Sequence, residues 1–291
     1  MKKIIQVCLI VLLFSACASD PVQVKRPVFD LEEYVRVDGS TVTIPFSEAL
    51  CAKLTDSSLE ACRAKIVHTK THQAYVNLIN KNTDLIFVTA PSSEELELAR
   101  QRNVEIMVVP FTAEAFVFLT DTDNPVDDLT LDQIQKIYTG ELQRWSEVGG
   151  NDLPIHAYQR PVNSGSQTGF LELVMKGKTP MTPLTEMIPA GMDELVEVLA
   201  TFKTEESAIG YSYYYYVTDM WKNDGVKLLK VDGVYPDKET ISAKTYPLTT
   251  NYFMVFRNDE KEKGAVRKIV NWILSPNGQQ LVEDSGYVKL Q

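Results

Sequence analysis

Apolar residues recur at helical spacing in three sets: Phe46, Ala49, Leu50 and Leu54; Leu195, Val198, Leu199 and Phe202; and Val266, Ile269, Val270 and Ile273. Each set lines one face of a predicted helix. Local signals mark where helices start and stop. Pro45 suits a first turn, Ser92-x-x-Glu95 and Thr130-x-x-Gln133 have the spacing of capping boxes, and Ser275-Pro276-Asn277-Gly278 interrupts the last helical pattern. Between the helices lie short runs that predict strands at Asp84–Thr89, Val104–Val109, Ala115–Thr120, Ile155–Tyr158, Ile209–Tyr213, Leu228–Val231 and Tyr252–Phe256. Several are continuously apolar, as strands covered on both faces are. Helices alternating with such strands over 291 residues predict an α/β architecture with two sheets. The tyrosine run Tyr211 to Tyr216, broken only by Ser212, reads as a strand with aromatic faces.

The first residues fit none of these patterns. Lys2 and Lys3 precede an apolar run from Ile4 to Ala16, interrupted only by Gln6, too short for the roughly 20 residues of a membrane span. Charge followed by a short apolar run is the order of a secretory signal, here residues 1–16. It ends in Phe14-Ser15-Ala16-Cys17, which resembles a lipoprotein signal and makes Cys17 the expected lipidated first residue of the mature chain. An ordinary cleaved signal is the alternative. Residues 17–35 then read as a tether, with two prolines and no periodic apolar face. Cys8 leaves with the signal, so Cys51 and Cys62 are left together outside the cytoplasm, where one disulfide closing a short loop is expected and two buried core thiols are the alternative. Removing two lysines from 29 Lys+Arg against 39 Asp+Glu takes the net charge from −10 to −12. A basic nucleic-acid groove is not among the expectations.

Two stretches could carry chemistry. Asp38-Gly39-Ser40-Thr41-Val42-Thr43-Ile44-Pro45 and Arg160-Pro161-Val162-Asn163-Ser164-Gly165-Ser166-Gln167-Thr168 both run hydroxyls and glycine into a helix. A helix start leaves backbone N–H groups unpaired and partially positive, so such a stretch can surround an oxyanion with donors. Arg160 adds a fork of N–H groups and a counter-charge. Neither stretch matches a Walker loop or a dinucleotide fingerprint. His68 and His72 are four apart but lack a third ligand, and Cys51 and Cys62 lack zinc spacing, so no metal site is predicted. Ser164 has no partner base, and an enzyme is not indicated.

Beyond these features, Asp123-Asn124-Pro125-Val126, Leu129-Thr130-Leu131-Asp132-Gln133-Ile134, Ile137-Tyr138-Thr139-Gly140, Trp145-Ser146-Glu147-Val148-Gly149-Gly150, Arg160 through Ser166 and Ala208-Ile209-Gly210-Tyr211 resemble the phosphate-binding proteins of bacterial phosphate-specific ABC importers. The resemblance runs from Gly39 to about Ser285. It implies the two-lobed periplasmic-binding-protein fold (type II), with a tetrahedral anion held in the cleft. It also assigns ligand contacts to Thr43 (hydroxyl and backbone), Ile44 (backbone N–H), Arg160, Ser164, Gly165 and Ser166. Thr71 corresponds to a family serine, although His72, Gln73 and Ala74 stand where the family has glycines. The family's aspartate, which accepts the proton of hydrogen phosphate and repels sulfate, is replaced here by Thr89.

The expected molecule is therefore a monomeric extracytoplasmic lipoprotein, periplasmic or on the cell surface. Lobe one would be residues 36–117 and 250–291, lobe two residues 118–249, with crossings at Phe116–Thr120 and Pro247–Asn251. It would deliver inorganic phosphate to a membrane permease and its ATPase, with no cofactor. A receptor for sulfate or molybdate, and a surface lipoprotein for adhesion or sensing, are the alternatives.

Overall fold

The computed structural model describes residues 28–201 and 207–291. The signal segment, Cys17 and most of the expected tether lie outside the described residues, as does Phe202. Residues 28–35 do not behave as a tether. The N–H groups of Val28 and Phe29 donate to the carbonyl of Leu54, a short turn spans Leu31–Glu33, and Tyr34 is buried in the core.

One sheet runs in the order Val37–Gly39, Leu85–Val88, Phe253–Arg257, Ile106–Pro110. The first pair is parallel, with Val37 opposite Leu85, and the others are antiparallel. Leu85–Val88 is buried throughout, as its continuous apolar run requires. Helix Ile44–Thr55 starts with Pro45 in its first turn and buries Phe46, Leu50, Cys51 and Leu54. The sulfurs of Cys51 and Cys62 are bonded, which ties this helix to the next, Leu59–Lys65.

The second sheet is organised by one long strand, Thr112–Asp121. Its second half pairs with Ala208–Tyr213, beyond which lies His156–Ala157. Phe116, Phe118, Tyr138, Phe170 and Tyr211 form the core here, with the Phe170 and Tyr211 rings stacked at 4.5 Å. Phe116–Thr120 is thus the spine of this sheet rather than a crossing. The chain passes between the sheets a few residues earlier, where Glu114 and Ala115 lie against Thr250 and Thr249, and Thr112 and Ala113 against Lys289 and Val288. One further strand is corrected by pairing, and the tyrosine run is strand only as far as the predicted Ile209–Tyr213. Leu228–Val231 divides into Val226–Leu228, on the long strand, and Lys230–Val231, on Asp128–Leu129, because the two pieces have different partners. The tyrosine strand ends at Tyr213, and Tyr216–Met220 form a π-helical turn. Ser275-Pro276-Asn277-Gly278 both ends helix Ala265–Ile273 and starts helix Pro276–Asp284, which Ser275 caps.

Glu114, 2% exposed, sits where the chain crosses. Its Oε1 accepts from the N–H groups of Ala115 (2.9 Å) and Tyr215 (3.3 Å), with the Tyr213 and Tyr252 rings nearby. Burial pushes its carboxyl up to about 7. Between the ordinary glutamate range and that value the unfolded chain releases a proton that the folded chain keeps. Stability should therefore fall as pH rises through the window, by on the order of 3 kcal/mol. Glu114→Gln should flatten that decline in denaturant unfolding at pH 5 and pH 8. An unchanged pH dependence would show that the carboxyl titrates alike in both states.

Candidate functional site

The strand end Val37–Gly39 delivers the first stretch to the cleft between the sheets. Gly39 has no room for a side chain, since a Cβ there would lie 2.5 Å from the carbonyl oxygen of Phe87. The buried carboxylate of Asp38 accepts from the Thr69 N–H and hydroxyl, both at 2.7 Å, and from Asn77 Nδ2 at 2.8 Å. This pins the following loop beside the strand end. Lys70 is held at φ 72°, ψ 163°, a region nearly restricted to glycine, immediately before helix Thr71–Ile79. The loop is thereby turned so that Thr71 lines the cleft.

From the other side, the chain leaves His156–Ala157 and reaches Arg160, whose N–H donates to the Tyr211 hydroxyl and to Gln167 Oε1, both at 3.0 Å. Ser164 then caps helix Gly165–Gly169, accepting from the Gln167 N–H at 3.2 Å, and Phe170–Met175 continue as a π-type turn. The Tyr213 hydroxyl donates to the Gly165 carbonyl at 3.1 Å and fixes this helix start against the sheet.

The two sides meet around a cavity of about 790 Å³. A Cβ placed on Gly165 would lie 2.6 Å from the hydroxyl oxygens of both Thr71 and Thr89, so the two lobes are already in contact there. Asn163 also donates across the cleft to Glu94. Seven buried side-chain polar atoms have no hydrogen-bond partner among the described residues. Five of them belong to residues lining this one cavity: Ser40 Oγ, Thr89 Oγ1, Ser212 Oγ and Arg160 Nε and Nη1. Thr89 lies near the Tyr213 hydroxyl, but that hydroxyl is directed to Gly165. Buried polar atoms are normally satisfied, so this concentration marks a place built for a polar ligand. Arg160, 8% exposed, spends only Nη2, on the Ala190 carbonyl at 3.1 Å, and burial works against its charge. The set is cationic and mostly donating, which suits an anion with several oxygens.

The sites expected from sequence divide on this geometry. Thr71, Thr89, Arg160, Ser164, Gly165 and Ser166 line the cavity. Thr43 and Ile44 do not. The Thr43 hydroxyl lies 2.8 Å from the Phe87 carbonyl oxygen and its N–H donates to Ser40, while the Ile44 N–H donates to Thr41. Both residues are consumed in closing their own turn. Ser40, Thr41 and Val42 line the cavity instead, and the N–H groups of Thr41 and Val42 are the first of that turn, without a preceding carbonyl to meet. Ser212, buried in the tyrosine run, also lines the cavity, and its only mark in the sequence is that it is the one residue interrupting that run. His68 and His72 do not share a face. His68 contacts Ser47 and burial pushes it down to about 4, whereas His72 lies on helix Thr71–Ile79 beside Glu95. No cluster of three metal-ligating side chains occurs among the described residues.

Comparison with known proteins agrees with this architecture. A family model described as a PBP superfamily domain matches residues 30–277. The chain belongs to the PBP superfamily. Among its PBP relatives is the phosphate-binding protein PstS of Borreliella burgdorferi, 26% identical over 272 residues, covering 90% of this chain and 92% of the relative. PstS of Bacillus subtilis is 29% identical over 167 residues, 57% of this chain and 52% of that protein. A solved structure of a phosphate ABC transporter substrate-binding protein from Clostridium perfringens, with bound phosphate, matches with a TM-score of 0.66 and 26% identity, covering 89% of this chain and all of the other. This likeness places the α/β chain in the two-lobed PBP fold.

Proposed function

We propose that this PBP-superfamily chain is the extracytoplasmic receptor that captures inorganic phosphate for an ABC importer. The observation that carries the reading is the convergence of five unpartnered buried polar atoms, from Ser40, Thr89, Arg160 and Ser212, on one cavity between the lobes. The bound phosphate of the Clostridium perfringens structure and the PstS relatives support the ligand. Donors reach the cavity from both lobes, so only the closed form makes all the contacts and phosphate shifts the population toward it. No covalent step is needed. The closed form would be presented by a monomer, lipidated at Cys17, to a permease and its ATPase. A thermal-shift panel of phosphate, sulfate, molybdate, citrate and zinc tests the reading. Phosphate should raise the midpoint most, and a panel in which no oxyanion moves it would overturn the proposal. Permease and ATPase genes beside this one would support transport over an adhesive or sensing role.

Selectivity keeps a second oxyanion in view, because Thr89 offers a hydroxyl where a carboxylate would repel sulfate. Among the described residues Asp193 is the one acid lining the cavity, and it is exposed at the start of helix Met192–Thr201. An unpaired buried hydrogen bond costs about 1–3 kcal/mol. Sulfate should therefore displace phosphate measurably in competition calorimetry, and Thr89→Asp should raise discrimination by about 10- to 100-fold. Asp193→Asn should leave the competition unchanged. No displacement by a roughly 1,000-fold sulfate excess would show that another group supplies the rejection.

A further inference from the structure

The cavity is too large for the anion alone. A water molecule's share of liquid volume is about 30 Å³, so an ion of five heavy atoms fills on the order of 150 Å³ or less. The cavity measures about 790 Å³, within the roughly 300–1,000 Å³ range of pockets that enclose organic ligands. The excess does not come from parted lobes, because Gly165 already meets Thr71 and Thr89 across the cleft and Asn163 meets Glu94.

The lining is mixed in character. The unpartnered atoms of Ser40, Thr89, Arg160 and Ser212 are supplied by buried residues. The lining also includes Met192, Tyr216, Met220, Trp221 and Val162, alongside the polar Lys70, His72 and Asp193. Trp221 is 46% exposed and Val162 83% exposed, so these apolar groups face the cavity or solvent rather than a core. The π-helical turn Tyr216–Met220, which follows the strand bearing Ser212 after Tyr214 and Tyr215, brings Met220 and Trp221 to the cavity wall. An inorganic ion has nothing to place against an indole and two thioethers.

We propose that the site also accepts phosphate monoesters, with the phosphoryl group on the Arg160, Ser40, Thr89 and Ser212 donors and the organic substituent against Trp221, Met220 and Met192. A monoester dianion keeps three terminal oxygens for the donors and directs its fourth, esterified oxygen outward. The inference rests on the phosphate-receptor reading and extends its ligand class.

The test is calorimetry on the purified mature chain in detergent, with inorganic phosphate, phenyl phosphate and glycerol phosphate as probes. Phenyl phosphate should bind within about tenfold of phosphate, and Trp221→Ala should weaken it by about tenfold while changing inorganic phosphate less than twofold. Because Trp221 is partly exposed, this variant is expected to fold, which its binding of inorganic phosphate also reports. Tight phosphate binding with no displacement by either ester would overturn the proposal and leave the receptor reading standing. Equal losses for phosphate and ester in Trp221→Ala would also overturn it. Absence of binding by all three probes would remove the receptor reading itself, and the inference with it.

Discussion

Arg160→Ala should abolish tight phosphate binding, with a loss of about 100- to 10,000-fold, and should leave the ligand-free protein no less stable. The guanidinium is buried and forms no salt bridge among the described residues, and its one protein acceptor is the Ala190 carbonyl. A hydrogen bond to a charged group contributes roughly 1.5–3 kcal/mol, and Nε and Nη1 are both available to a ligand. Their loss together corresponds to about 3–6 kcal/mol. Without ligand, the same group is a buried charge with little compensation, a cost that the alanine variant no longer carries. Arg160→Lys should recover only part of the affinity, since an ammonium cannot reproduce the planar fork. The measurement is a pair of unfolding midpoints with and without phosphate. The wild type should shift upward and Arg160→Ala should not, while their ligand-free midpoints stay close. Near-native phosphate affinity in the variant would remove Arg160 from the site and, with it, the reading of the cavity.

How far sequence alone reaches is instructive residue by residue. Interactions closed within a few positions are legible. The capping boxes at Ser92–Glu95 and Thr130–Gln133 are both formed, because each partner lies on the same turn. The stretch from Arg160 to Ser166 also lines the cavity as expected, its backbone being directed by its own cap at Ser164. The first stretch also reaches the cavity, but through Ser40, Thr41 and Val42 rather than Thr43 and Ile44, for a tertiary reason. Pro45 marks where the α-helix begins, but a tighter turn, Thr41–Thr43, precedes it, and the unpaired N–H groups belong to that turn. The Thr43 hydroxyl is captured by the Phe87 carbonyl of a strand far along the chain, which no local pattern announces. Ser212 is hidden for a similar reason. Tyr211 is buried in the core and Tyr213 holds the Gly165 helix start, and only the assembled sheet shows that the small residue between them also lines the cavity. The same holds for the long strand Thr112–Asp121, whose apolar run reveals its core half while its crossing half, with Glu114, is set by pairing to Thr249–Thr250.

Gly165→Ala separates capture from closure. The glycine begins a helix and has no unusual φ, so its backbone accepts any residue, and alanine should favour the helix slightly. What alanine lacks is space. Its Cβ would lie 2.6 Å from the hydroxyl oxygens of Thr71 and Thr89, on short branched side chains that belong to the opposite lobe. Overpacking of this kind costs about 1–3 kcal/mol, and the clash exists only when the lobes meet. Phosphate affinity should therefore fall by about 10- to 100-fold, while the ligand-free midpoint is unchanged or raised. Small-angle scattering should show a larger radius for the phosphate-saturated variant than for the saturated wild type. An affinity equal to wild type would show that phosphate is held without this contact. The two substitutions fail for different reasons, since Arg160→Ala removes donors and Gly165→Ala obstructs the approach of one lobe to the other. If donation and closure are one event, their penalties should not add, because a protein that cannot close has already lost the contacts made only in the closed form. Strict additivity in the double variant would instead mean that Arg160 holds the anion equally well with the cleft open.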